Sequence, residues 1–246
     1  MKTWQKIGLL TLLVLLIGGA RIYFVWKSRQ NPGVMVRQGD EPRKLTQDEL
    51  VVMKLLYLSN FSDAKDQLEG KPVWIKAGYS LPYYPYSGGQ VQFAKRVGLL
   101  PAAEKLQITK LIKAVAPAKE ENRVPHGTRQ YFAVFTLAGN GDAKAGEFAA
   151  PIGFAQGDQE TLFCDQLFYY DNPKTIYDHW PKPVWDAVAA HTPTVGMTEN
   201  QAKMAVGIMQ DSDSSSEGDR TVTYDADGKK WTVTFARGVA TAVKPG

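Results

Sequence analysis

Ile7 to Ala20 is a run without a single charge, built of Ile, Leu, Val, Thr, Gly and Ala. Arg21 interrupts it, and Ile22-Tyr23-Phe24-Val25-Trp26 then continue its apolar character. At about 1.5 Å per residue a helix over Ile7–Trp26 extends roughly 30 Å, the thickness of a bilayer core. Arg21 lies near enough to one end to snorkel towards headgroups. Trp4, Tyr23 and Trp26 stand where an aromatic belt belongs. The expectation is a retained transmembrane helix within residues 1–29. A cleaved signal peptide is the rival reading: Lys2 and Lys6 form a basic start, and Gly18-Gly19-Ala20 are small enough for cleavage. Cleavage would leave the greasy sequence Arg21 to Trp26 in water, which favours the anchor.

Orientation follows less directly. Lys2 and Lys6 precede the run, whereas Lys27, Arg29, Arg37, Arg43 and Lys44 follow it, a count that keeps the body cytoplasmic. A short tail with a basic start looks instead like an export signal.

Beyond this run the chain has ordinary globular composition, and its roughly 220 residues suffice for one good core or two small ones. The net charge of +4 is mild and the basic residues are dispersed. Lys95, Arg96, Lys105, Lys110 and Lys113 are interleaved with Glu104, Glu120 and Glu121, so a solvated surface is expected and nucleic acid is not. A single cysteine, Cys164, excludes an internal disulfide.

Residues 30–69 read as a tether followed by short helices. Gln30 to Lys44 is polar with Pro32, Gly33, Gly39 and Pro42. Thr46-Gln47-Asp48-Glu49 is a capping-box signature, and Leu50, Met53 and Tyr57 recur at helical spacing, predicting a helix over Gln47 to Leu58. A second helical piece, Asp63 to Leu68, stops at Gly70.

Residues 70–165 read as a small β-rich domain, a compact barrel or half-open sheet. Lys71 to Tyr79, Gln130 to Leu137, Phe148 to Phe154 and Thr161 to Phe163 are its strands. Gln130 to Leu137 is apolar on both faces, as a strand buried within the domain would be. Lys105 to Ala116 fits a helix by Ile108, Leu111, Ile112 and Val115, and a strand by Leu106 and Ile108. Residues 166–193 hold two short connecting helices, the first capped by Asn172 with Pro173 at its first position.

Residues 194–246 form the most informative stretch. Thr198 caps a helix that Gly207 ends, and after a polar loop come three strands: Arg220 to Tyr224, Lys230 to Phe235 and Val239 to Val243. Trp231, Val233 and Phe235 alternate with Thr232 and Thr234, one face for the helix and one for water. Gly196-Met197-Thr198, Gln201-Ala202, Val206-Gly207, Tyr224 and the closing Val233 to Val239 resemble the SmpA/OmlA (BamE-like) module of bacterial envelope proteins. The resemblance covers about a fifth of the chain. It implies a short helical pair packed on a three-stranded antiparallel sheet, usually in a lipoprotein exposed to the periplasm. The family's lipidated cysteine is absent, as is its proline after the helix-ending glycine, and a large domain precedes the module. These departures weigh against a role in outer-membrane β-barrel assembly.

Candidate chemistry is sparse. Cys164 beside Asp165, with His126, His179 or His191, has the residue types for a cysteine nucleophile and base. The apolar setting Leu162-Phe163-Cys164 favours a buried structural thiol. No pair has ligand-like local spacing for zinc, and neither His-Glu-x-x-His nor Gly-x-Ser-x-Gly occurs. Asp211 to Asp219 alternates oxygen ligands as a calcium loop does, but lacks the glycine at its sixth position and the acid at its twelfth, Val222. No metal or cofactor is therefore expected. Tyr79, Tyr83, Tyr84 and Tyr86, with Pro82 and Pro85, form a dense aromatic loop suited to sugars or partner proteins, unless it simply closes the core.

The sequence thus predicts an α+β chain: an N-terminal transmembrane helix, a central β-rich domain, and a terminal helix on a three-stranded sheet. The expected role is a membrane-anchored, envelope-facing binding or assembly protein without catalysis, whose partners are the membrane and other envelope proteins. A hydrolase or transferase with its site in the central domain is the alternative.

Overall fold

The computed structural model describes residues 45–246 except 79–80, 138–145 and 227, together with Gly18, Gly19, Arg21, Tyr23, Trp26 and Lys27. The chain divides into two units, Met1–Leu45 and Thr46–Gly246. In the first, Gly18, Gly19, Arg21, Tyr23, Trp26 and Lys27 are helical, and the Lys27 ammonium lies 5.9 Å from the Tyr23 ring. Among the described residues no helix is long and apolar enough to cross a membrane. The single-pass anchor expected over Ile7–Trp26 is therefore corrected on this point; most of that run lies outside the described residues.

In the second unit the helix expected over Gln47 to Leu58 does not form. The capping box at Thr46 forms in full: Glu49 accepts from the Thr46 amide at 2.7 Å, and Thr46 Oγ1 accepts from the Glu49 amide at 3.4 Å. Yet only one 3-10 turn follows, Asp48–Leu50, and Val51 is already extended at φ −66°, ψ 126°. No helix runs on to Leu58; residues 51–59 carry no regular structure. Helix α1, Phe61–Leu68, begins where the Asn60 side chain accepts from the Asp63 amide at 2.9 Å, and it buries Phe61, Ala64 and Leu68.

Nine strands then make one open sheet: β1 Pro72–Ile75, β2 Leu81–Ser87, β3 Gln90–Val91, β4 Gly98–Leu100, β5 Lys105–Ala114, β6 Arg129–Leu137, β7 Glu147–Gln156, β8 Gln159–Leu162 and, after helix α2 Cys164–Leu167, β9 Phe168–Tyr169. The order is β3-β2-β7-β6-β5-β1-β9, with β4 on β2 and β8 on β7. Strand β6 is central and buried on both faces. Tyr131, Ala133 and Phe135 enter the main core, whereas Phe132 and Val134 join Tyr84, Val91 and Ala149 on the other side. The ambiguous Lys105 stretch is a strand. Its register shifts between Ile108 and Lys110, so Ile108 and Leu111, three apart, reach the same core. The tyrosine-rich stretch expected as a loop is also a strand, β2, paired with β3, β4 and β7.

Helices α3, Pro173–Ile176, and α4, Lys182–Ala189, lead to α5, Glu199–Val206. Thr198 and Gln201 close a complete capping box on α5, and Gly207 ends it at φ 85°. The sheet that follows has four antiparallel strands rather than the expected three: β10 Ile208–Ser212, β11 Thr221–Ala226, β12 Lys229–Ala236 and β13 Val239–Pro245. The added strand begins directly after Gly207, in what the sequence presents as a polar loop. Val222, Tyr224, Val233 and Phe235 pack under Met204 and Ala205 of α5, in one cluster with Tyr169, Tyr177 and Trp180. The C-terminal sheet therefore shares its core with the connecting helices.

Candidate functional site

The residues from Thr46 to Leu58 form a strap, held to the body by carboxylates and exposed between the holds. At its start Asp48 points inward. Its Oδ1 accepts from His179 Nε2 at 2.5 Å and Trp180 Nε1 at 2.7 Å, and its Oδ2 from Asn200 Nδ2 at 3.3 Å and Thr198 Oγ1 at 3.4 Å. One side chain thus joins the strap to the α3–α4 connection and to the start of α5. At the other end Asp165 accepts from the consecutive amides of Leu56 and Tyr57, each at 2.9 Å. Two successive N–H groups aimed at one anion require an unusual backbone, and Tyr57 adopts φ 53°. Burial pushes the Asp165 carboxyl up, but the Leu56 amide, the Tyr170 hydroxyl, the Tyr57 amide and Lys76 together outweigh it and leave it below its ordinary value. The Lys76 ammonium, lowered by its own burial against the pull of Asp165, donates to the Asp165 carbonyl at 2.5 Å. A third carboxylate, Glu160, accepts from the Phe61 amide at 2.6 Å and the Tyr131 hydroxyl at 2.5 Å.

Between these holds the strap turns apolar side chains to solvent. Val52 is 92% exposed, Tyr57 79% and Leu50 62%, with Met53 and Leu55 at 40%. Val51, Leu56 and Leu58 point the other way and pack against the cores. Among the described residues no backbone hydrogen bond involves Val51 through Leu55. A groove of about 350 Å³ runs between Leu55–Leu58 and the α1 residues Asp63, Asp66 and Gln67. The combination is an irregular backbone with free donors and acceptors, apolar side chains outward, and an acidic wall beside it.

Of the residues singled out in the sequence, Asp165 and His179 bind the strap; the others lie elsewhere and are not brought together. Tyr79 lies outside the described residues. Tyr83 is buried against Phe135 and Phe148, whereas Tyr84 and Tyr86 belong to the opposite face of β2. The Tyr84 hydroxyl donates to Glu120 at 2.5 Å; burial and this carboxylate push its pKa well up. Tyr86 is half-buried under the Lys110 ammonium, 4.6 Å from its ring. Cys164 is 1% exposed, and burial with the neighbouring Asp165 charge pushes its thiol up to about 12, so it is a thiol and not a thiolate at neutral pH. His126 is engaged with the Glu120 carbonyl at 2.7 Å, His179 with Asp48, and His191 stands exposed at the end of α4. In the acidic loop, Asp213 accepts from the Thr221 amide and Asp219 from the Arg237 amide, each at 2.7 Å. Among the described residues no group of three or more His, Cys, Asp or Glu stands placed to hold a metal. Of the basic residues, Lys110 and Lys113 pair with Glu147 and Glu160 at 3.6 and 3.5 Å.

Asp48, Asp165 and Glu160 carry the arrangement, and their local sequence gives no sign of it. Asp48 reads as a first-turn helix acid and Asp165 as a neighbour of the cysteine. The one available signal was the density of apolar residues from Leu50 to Leu58, too many for one helix face. Compared with known proteins, the chain matches no family model, no curated protein and no solved structure.

Proposed function

We propose that the chain is a binding or assembly protein without catalysis, working through protein–protein contacts on the envelope-facing side of a bacterial cell. The observation that carries this reading is the strap. Leaving a side chain such as Val52 or Leu50 in water forgoes about 1.5–3 kcal/mol of burial each, and the strap does so at several adjacent positions. Two carboxylates, Asp48 and Asp165, fasten the strap at its ends, and the exposed side chains lie between those two points. A backbone with free N–H and C=O groups offers hydrogen bonds to a partner's chain, and its outward side chains supply apolar contact. Asp63 and Asp66 beside the groove favour a partner with basic groups next to its apolar ones. The envelope setting rests on the resemblance of residues 194–246 to periplasmic SmpA/OmlA modules.

The test is site-specific photo-crosslinking in the native cells. A probe at Val52 is expected to give a discrete protein adduct that a probe at exposed Lys119 does not give. The adduct should disappear when Leu50 and Leu55 are both changed to Asp. No adduct from Val52, or the same adducts from both probes, contradicts the reading.

A further inference from the structure

A second concavity, separate from the strap's exposed face, is lined by chemistry that nothing above uses. It is a cleft of about 360 Å³ bounded by β1, the turn from Pro101 to β5, and helices α3 and α4. That volume stands at the low end of the range of about 300–1,000 Å³ for small-molecule pockets. Two half-buried indoles, Trp74 and Trp185, contribute to its walls. The Lys105 ammonium lies 5.8 Å from the Trp74 ring and the Lys174 ammonium 5.9 Å from the Trp185 ring. Glu104 also lines the cleft, half-buried, its carboxylate without a hydrogen-bond or ion-pair partner among the described residues; burial alone pushes that carboxyl above the ordinary value. The turn that presents it is strained, with Ala103 at φ 60°.

A ligand for this cleft must satisfy three kinds of group together. A simple anion would sit on the lysines and meet the Glu104 charge, and a cation would meet both ammonium groups. An apolar ligand would leave the carboxyl and the lysines unpaired as it desolvated them. A neutral ring with many hydroxyls answers all three. Its hydroxyls donate to Glu104 and accept from Lys105 and Lys174, while its C–H faces lie on the indoles. We infer that this cleft, built from Trp74, Glu104, Lys105, Lys174 and Trp185, is a binding site for a short saccharide.

The full chain is titrated with maltotriose, cellotriose and chitotriose, following indole emission and heat. At least one is expected to bind saturably in the millimolar range. Because Trp74 and Trp185 also pack against the core, the informative variants are Glu104→Gln and Lys174→Met, each expected to weaken that sugar by about tenfold with the circular dichroism unchanged. No saturable signal from any of the three sugars overturns the inference. So does sugar binding that both variants leave intact, which would put the site elsewhere. Inorganic phosphate binding in place of sugar would make the cleft an anion site and likewise overturns it.

Discussion

Single residues bear on stability through two kinds of contact. Gly153 sits in β7 where a Cβ would come within 2.3 Å of the Thr161 carbonyl oxygen on β8 and 3.0 Å of Leu162 Cδ2. Backbone cannot yield there without parting the strands, so Gly153→Ala should cost about 2–3 kcal/mol, read as a fall in Tm. Glu160 acts through charge. The Tyr131 hydroxyl and the Phe61 amide hold its folded-state pKa below the ordinary 4.5, against a smaller upward push from burial. The unfolded chain thus takes up this proton more readily than the folded one. The stabilisation is complete above pH 4.5 and drains away as pH falls through the depressed folded value. Glu160→Gln should lower Tm at neutral pH and make its acid decline shallower than that of the unaltered chain. Parallel Tm profiles for the two proteins would exclude Glu160 from the acid response.

At the scale of elements, the strap shows how tertiary bonds override a local signal. Thr46 and Glu49 form the capping box their spacing announces, yet the helix stops after one turn. Asp165 is 109 residues from Leu56, and His179 is 131 from Asp48, so no local pattern could report the bonds that draw the chain out. Removing one hold tests this. Asp48→Ala leaves Trp180 Nε1 and His179 without their acceptor and should cost about 2–3 kcal/mol, with new proteolytic cleavage between Leu50 and Leu58. Unchanged Tm and cleavage would show that the strap is held by its apolar contacts alone. Other elements were plainer in the sequence. Strand β6 alternates two apolar faces, and α5 carries its own cap and stop. The β5 stretch looked half helical because the register shift after Ile108 puts Leu111 on the same side three residues later. Of the candidate sites, the tyrosines were visible by density, but strand alternation sends Tyr83 and Tyr84 to opposite cores. Glu104 and Trp74, separated in sequence, meet only through the pairing of β1 with β5 and the turn before it.

At the scale of the molecule, the two sheets and connecting helices of Thr46–Gly246 form one unit, onto which the strap is fastened. Its core continues from Tyr169 and Trp180 into Tyr224 and Phe235, so the terminal sheet is a part of the whole and not an appended domain. What distinguishes the molecule is the strap, an exposed apolar segment fastened at its two ends by carboxylates. Amide hydrogen exchange on the purified full chain tests that claim most directly. The Leu56 and Tyr57 amides, bound to Asp165, should be protected, while those of Val52 to Leu55 exchange at nearly the rate of an unstructured chain. Continuous protection from Val51 to Leu58, as a helix would give, would contradict the account.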